Sequence, residues 1–543
     1  MNATEPKALT ISNLTVEAQS QGAWSPIVRD VSFSLKRGEV LGVVGESGAG
    51  KSTVGFSTLG FVADGCRIAS GSVIVDGTDL ATASEAVCRQ MRGTKVAYVA
   101  QSAATAFNPA YRLIDQQIEI MVGRGLLSQQ EARREAVSIY SRLGLPSPQT
   151  IGERYPHQLS GGQLQRAMIA MAIAARPALI VFDEPTTALD VTTQIGVLKL
   201  IREVITEHDA AALYISHDLA VVAQMAHRIM VMREGNVVEE GDTRQIMGAP
   251  RHEYTRSLWS IRNLRKQHKP PLAEDTTQRP VLKLNDVSAQ YGPVMAVDKA
   301  RFEVGAGQVV AVVGESGSGK STLARVVAGL KNTCHGAIIS DSGELPDDYR
   351  RRSMKQKREF QIIYQFADTA LNPRHTVRRI LEAPLKLYFQ MSRRARVERM
   401  TELMTLVNLD PGIYLGRRPG ELSGGQMQRV AIARALAADP KLIICDEITS
   451  SLDQLIAAEI IALLSRLQRE KHLSYIFITH DLGVVSAVAD RVVVMQNGII
   501  EETGNCETVL NAPTRDYTRR LLAAVPQMDP GWLTATLAQR RTA

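Results

Sequence analysis

Gly45-Glu46-Ser47-Gly48-Ala49-Gly50-Lys51-Ser52-Thr53 follows an apolar run, Val40-Leu41-Gly42-Val43-Val44, and the reading of this junction decides the fold. The run reads as a buried strand, and the loop after it fits G-x-x-x-x-G-K-[ST]. Strand, glycine loop and helix, in that order, are what phosphate binding requires. Backbone N–H groups converge on an oligophosphate only where glycines let the chain turn tightly, and the helix that follows presents its positive end to the same anion. Lys51 is expected to reach the outer phosphates, and the Ser52 hydroxyl to ligate magnesium.

The loop occurs twice. Gly314-Glu315-Ser316-Gly317-Ser318-Gly319-Lys320-Ser321-Thr322 follows Val309-Val310-Ala311-Val312-Val313, with Lys320 lying 269 positions beyond Lys51. LSGGQLQR at Leu159 to Arg166 recurs as LSGGQMQR at Leu422 to Arg429, FDE ending at Glu184 as CDE ending at Glu447, and ISHD as ITHD, all at a constant offset of 263. Two halves in register are a duplicated domain. Between them RNLRKQHKPPLAEDTTQRP has the composition of a linker. The expected organisation is a first domain at residues 1–261, a linker at 262–280, a second domain at 281–528 and a C-terminal tail at 529–543.

A chain of 543 residues is too long for one ordinary core. Its 45% hydrophobic and 22% charged residues are those of a globular protein, with no run of about 18 apolar residues and a polar start unlike a signal peptide. Location in the cytoplasm is expected. Cys66, Cys88, Cys334, Cys445 and Cys506 show no C-x-x-C spacing, which argues against a disulfide framework or a zinc site. A net charge of +7 suits nucleic acid, a membrane surface or an acidic partner equally well, so charge decides nothing. The run YRRRSMKQKR, Tyr349 to Arg358, reads most simply as a solvated helix face.

Within each half β-rich segments lead to the strand and phosphate loop, then to a strand ending at Gln101 or Gln365. A helix-rich stretch follows, then two apolar strands and a closing hairpin, the second with an Asn497-Gly498 turn. This alternation gives an α/β fold with a mainly parallel sheet and a helical insertion. Asp183 and Asp446 end apolar strands, where a carboxylate can hold magnesium. Glu184 and Glu447, one residue on, are placed to orient and polarise a water. A carboxylate pair at a strand end is by default a helix cap, and a histidine after a strand is usually structural; the phosphate loops upstream favour the catalytic reading of the pairs.

Each half resembles the nucleotide-binding domain of ABC transporters, on the strength of the phosphate loop, LSGGQ, the Asp-Glu strand end and the later histidine, over nearly the whole chain. The resemblance implies two tandem P-loop domains, each with an antiparallel β subdomain and a helical insertion, that bind ATP and Mg2+ and hydrolyse ATP. It implies a catalytic role for Glu184 and Glu447, γ-phosphate contacts for His217 and His480, and magnesium ligation by Ser52, Gln101, Asp183, Ser321, Gln365 and Asp446. The stretch Ser160-Gly161-Gly162-Gln163 is implied to complete the site of Lys320, and Ser423-Gly424-Gly425-Gln426 that of Lys51, with Asp190 and Asp453 crossing between domains. Without the resemblance each such stretch is a good helix N-cap. Tyr291 matches the aromatic that stacks on adenine; the first half aligns Ala18 there, with Trp24 as a substitute. Ile448 stands where the first half has Pro185.

Two further elements resemble the oligopeptide/dipeptide/nickel importer branch in a fused form: AFNPAYRL and ALNPRHTV after the glutamines, and APRHEYTRSLWS and APTRDYTRRLLAAVP after the hairpins. Membership implies an ATPase subunit that energises import of short peptides or peptide-like solutes from the cytoplasmic face of the inner membrane. Its partners would be two integral-membrane permease subunits and an extracytoplasmic solute-binding protein, with no nucleic acid. ATP binding would draw the domains together and hydrolysis let them part. No cysteine cluster follows Tyr254 or Tyr517, so no iron–sulfur cluster is expected. The alternatives are another solute class (opine, metal chelate, sugar) and a soluble tandem ATPase acting on ribosomes, which would carry a long charged helical linker.

Overall fold

The computed structural model describes residues 7–20, 22–186, 189–264, 279–450 and 452–542. Most of the expected linker, 265–278, lies outside the described residues, as do Thr187, Ala188 and Ser451 of the two loops that end at Asp190 and Asp453. The chain divides into two units, Met1–Trp259 with Ala524–Ala543, and Ser260–Ala523.

In unit 1 two long strands, β1 (Lys7–Ser20) and β2 (Ala23–Lys36), precede β3 (Val40–Gly45), and β4 (Cys66–Val75) and β5 (Thr78–Asp79) follow it. Then come β6 (Val96–Val99), β7 (Leu179–Asp183), β8 (Ala211–Ile215), β9 (Arg228–Arg233) and β10 (Asn236–Asp242). One sheet is antiparallel, in the order β2-β1-β4-β5; the other runs β10-β9-β3-β8-β7-β6. Strands β3, β7 and β8 are buried at every residue, as continuous apolar runs must be when both faces of a parallel sheet are covered. One core joins the two sheets: Leu9, Val31 and Val73 share it with Val43, Val181 and Ile215, and Val54 of the helix Lys51–Ser57 enters it as well. That packing fixes the start of the helix after the glycine loop at the carboxyl end of β3, where ligands of open α/β sheets bind.

Unit 2 repeats the plan with β11 (Leu282–Tyr291), β12 (Val294–Val304), β13 (Val309–Val313), β14 (His335–Ser340) and β15 (Gly343–Leu345). It continues with β16 (Phe360–Ile363), β17 (Leu442–Asp446), β18 (Ser474–Ile478), β19 (Arg491–Gln496) and β20 (Ile499–Asn505). Its sheets run β12-β11-β14-β15 and β16-β17-β18-β13-β19-β20. Asn497 and Gly498 both have positive φ, 48° and 84°, as a primed hairpin turn requires. The helical insertions lie between β6 and β7 and between β16 and β17; Val377–Tyr388, Arg393–Leu406 and Gly424–Leu436 pack on the second sheet through Leu381, Met404 and Ile432.

Two sequence readings differ from the structure. The expected solvated basic run contains Arg352, which is buried and donates from Nε to Pro346 O (2.9 Å) and from Nη1 to Val327 O (2.8 Å). Its planar fork satisfies Val327 O, left open where the helix Lys320–Val327 ends, and Pro346 O of the loop after β15. The C-terminal tail is a docked element of unit 1: Trp532 and Leu533 are buried. The Gln224 amide donates to Gln527 O and Asp529 O at 2.7 Å and accepts from Leu533 N at 3.0 Å. Unit 2 accordingly ends at Ala523, five residues before the limit read from sequence. Among the described residues no helix is long and apolar enough to cross a membrane.

Candidate ATP sites

Each phosphate loop closes around its lysine. Lys51 Nζ donates to Gly45 O (2.8 Å) and Glu46 O (2.7 Å), and Lys320 Nζ to Gly314 O (2.8 Å) and Glu315 O (2.7 Å). Both lysines are buried. A buried ammonium held by carbonyls leaves positive potential under the loop, and Gly50 (φ 92°) and Gly319 (φ 103°) turn the chain into the helix that follows. Each loop is therefore an anion cradle backed by a charge and a helix N-terminus.

The carboxylates stand beside it. In unit 2 Ser321 Oγ donates to Asp446 Oδ1 at 3.2 Å, and in unit 1 the nearby Ser52 hydroxyl pulls Asp183 in the same sense. Burial pushes both aspartates above the ordinary carboxylate range, against the pull of those hydroxyls and the nearby lysines. In each unit one buried carboxylate beside a serine hydroxyl makes part of a site for a hard cation, and serine and carboxylate oxygens suit Mg2+. Among the described residues no group of three or more His, Cys, Asp or Glu could hold an ion alone, so phosphate and water oxygens would supply the remaining ligands.

One residue on, Glu184 and Glu447 take left-handed backbone conformations, φ 51° and 49°. Gln101 Nε2 donates to Glu184 Oε2 at 2.8 Å, and His217 Nδ1 lies 2.9 Å from Glu184 Oε1. In unit 2 Gln365 Nε2 donates to Glu447 Oε2 at 3.0 Å, and His480 Nδ1 is 3.7 Å away from the same oxygen. In each unit a glutamine and a histidine from separate strand ends thus converge on one carboxylate. Burial opposes charge on both histidines, but the glutamate outweighs it and holds each above the ordinary histidine value. Burial likewise opposes charge on Glu447, and His480 still brings it below the ordinary range.

A pH dependence follows with a definite sign. The raised His480 contributes stability that is fully present below its ordinary value of 6.5 and is lost as pH rises above it. The lowered Glu447 contributes stability present above 4.5 and lost as pH falls below it. In EDTA, the urea midpoint of the unmodified chain should therefore exceed that of His480→Asn most between those two values, and the gap should close above them. A gap independent of pH would disprove the pairing.

A model described as ABC transporter matches residues 28–187 and again 297–450. The chain belongs to the ABC transporter family. A second model, the oligopeptide/dipeptide transporter C-terminal region, matches residues 238–283 and 502–543, which take in both Tyr-Thr elements. Similar relatives are the glutathione import ATP-binding protein GsiA of Pectobacterium atrosepticum, 37% identical over 97% of this chain and 90% of its own length, and that of Escherichia coli O157:H7, 37% identical over 96% and 90%. The GsiA of Salmonella typhimurium is 36% identical over 96% of this chain and 90% of the relative. This ABC protein is an ATPase with two tandem cassettes.

The remaining ABC motifs are where the duplication puts them. Ser160 and Ser423 cap the helices Gly161–Ala174 and Gly424–Leu436, each hydroxyl accepting from Gln163 N or Gln426 N at 3.3 Å while the glutamine carbonyl answers the serine N–H. Asp190 and Asp453 cap the next helices through Thr193 N and Ile456 N. Tyr291 is exposed at the end of β11 with Lys331 Nζ 4.3 Å from its ring centre, and Trp24 is exposed in β2 with Arg67 at 4.2 Å. Each unit thus carries an aromatic at the tip of its antiparallel sheet.

Sequence reasoning missed Tyr98. Its hydroxyl donates to Asp183 Oδ2 at 2.5 Å and its ring stacks on Phe56. Counted back from the two glutamines, Ile362 occupies the matching place in unit 2, so the two aspartates are held differently. Nothing in the pattern of an apolar strand marks a tyrosine as touching a residue 85 positions away.

Proposed function

We propose that this ABC ATPase energises import of a short peptide or peptide-like solute of the glutathione class. The observation that carries the reading is the double match to the oligopeptide/dipeptide transporter C-terminal region beside two ATP-binding cassettes, supported by relatives named for glutathione import. Each phosphate loop holds the ATP phosphates, with Lys51 and Lys320 on the outer ones. Ser52, Asp183 and Gln101, and Ser321, Asp446 and Gln365, hold Mg2+, which offsets negative charge on the phosphates when bound. Glu184 and Glu447 orient the attacking water and take up its proton, while Gln101 with His217, and Gln365 with His480, fix each carboxylate's orientation. Tyr291 and Trp24 offer faces to adenine.

Two integral-membrane permease subunits and an extracytoplasmic solute-binding protein complete the importer, which places this chain at the cytoplasmic face of the membrane. The test is uptake: cells lacking the chain should lose accumulation of labelled glutathione or dipeptides, and the tagged chain should copurify with permeases in mild detergent. Unchanged uptake of every short peptide tried, with the chain sedimenting with ribosomes, would favour the soluble alternative.

A further inference from the structure

The Tyr-Thr elements have no part in the chemistry above, yet both reach the phosphate loops. Glu46 N–H donates to Tyr254 Oη at 3.2 Å, and Glu315 N–H donates to Tyr517 Oη at 3.1 Å. The partners are 208 and 202 residues apart in sequence, so the contact has been built twice from the same parts. Each tyrosine sits in the first turn of a helix, Glu253–Leu264 or Asp516–Ala523.

Those helices are anchored at their starts by a carboxylate of the closing hairpin. Glu239 of β10 accepts from Arg251 N (2.8 Å) and His252 N (2.9 Å), and Glu502 of β20 accepts from Thr514 N (2.8 Å) and Arg515 N (3.4 Å). Negative charge at a helix N-terminus stabilises it. Tyr254 also lies under Arg233, 5.0 Å from ring centre to guanidinium. Each tyrosine is thus buried at a hydrogen-bonded helix start. Beyond the tyrosines the helices carry the chain out of its unit: the first leads into residues 265–278, and the second into the Ala524–Ala543 segment that packs on unit 1.

We propose that Tyr254 and Tyr517 are positioning residues of the two ATP sites: each holds the outer edge of a phosphate loop, so that seating nucleotide on the loop is passed to the helix by which the chain leaves that unit. The nucleotide orders backbone N–H groups of the loop, the ordered loop keeps Glu46 or Glu315 aimed at its phenol, and the helix start is firmed in turn. This gives the peptide-importer elements a task, reporting nucleotide occupancy to the helix that follows each closing hairpin. It rests on the loops being the ATP phosphate sites.

The test is amide hydrogen exchange on the full chain, with and without ATP in EDTA so that no hydrolysis intervenes. In the unmodified chain ATP should slow exchange in both loops and also at residues 254–258 and 517–521. In Tyr254→Phe, which keeps the ring, ATP should still protect residues 45–50 but no longer 254–258, with unit 2 unchanged; Tyr517→Phe should give the mirror result. Affinity at the altered site should fall about threefold to tenfold, the range for one lost hydrogen bond. Helices that ignore ATP in the unmodified chain, or that respond equally in both phenylalanine variants, would overturn the coupling. Loops left unprotected by ATP in the unmodified chain would instead overturn the site reading on which it rests.

Discussion

Replacing Glu184 and Glu447 together by glutamine is expected to lower the ATPase kcat by about 10²- to 10⁴-fold, the range for losing a positioned general base, with ATP still bound. Glutamine keeps the shape but cannot take up a proton. The geometry says the carboxylate itself is what these sites are built to present. Glu184 N donates to Ile215 O at 2.9 Å and Glu447 N to Ile478 O at 3.0 Å, which ties each backbone to the neighbouring strand end. Both residues hold φ near 50°, a conformation that costs a non-glycine residue about 1–2 kcal/mol and persists only where surroundings impose it. The same departure at the same place in two halves points to a position kept for use. Since the units are built alike, either single substitution should remove roughly half of the activity or more. Phosphate release measured beside equilibrium ATP binding separates the cases. A double variant keeping more than about a tenth of the activity would refute the assignment.

Much of this was legible in the sequence, for identifiable reasons. Parallel strands buried on both faces must be continuous apolar runs, so β3, β7 and β8 and their counterparts stand out, and each functional carboxylate or histidine follows such a run directly. The turn at Asn497-Gly498 follows from the need for positive φ at two successive residues. Duplication then doubled the weight of every motif. What stayed hidden depends on which distant elements lie side by side, and periodicity reports burial without reporting neighbours. Tyr98 reads as one more strand residue until β6 is set beside β7. Tyr254 and Tyr517 mark a family element in the sequence, and only the packed structure brings them to the phosphate loops. Trp532 and Leu533 are two apolar residues in a polar tail, too few to announce a docking segment, and only the buried Gln224 amide shows where they go. The charge of Arg352 suggests solvent, whereas Val327 O at a helix end and Pro346 O hold it inside.

Gly45→Ala is expected to destabilise unit 1 by about 3 kcal/mol or more and to abolish ATP binding there, as Gly314→Ala is in unit 2. Gly45 has φ 151° and its missing Cβ would lie 2.1 Å from Met232 O; for Gly314 the values are 150° and 2.1 Å from Met495 O. Those carbonyls cannot retreat, because β9 and β19 are each held between the phosphate-loop strand on one side and a hairpin partner on the other. Moving the loop instead would pull the cradle off the carboxyl end of β3 or β13. Gly48 provides the control within the same motif: its φ of 82° also favours glycine, but nothing lies within 4 Å of a Cβ there. Gly48→Ala should therefore cost only about 1–2 kcal/mol of backbone strain and leave the unit folded. Urea unfolding with ATP titration checks both, and equal stabilities for the two variants would sink the claim. The contrast separates two demands on one glycine loop: at Gly48 the backbone needs only a left-handed turn, whereas at Gly45 it must pass close against another strand.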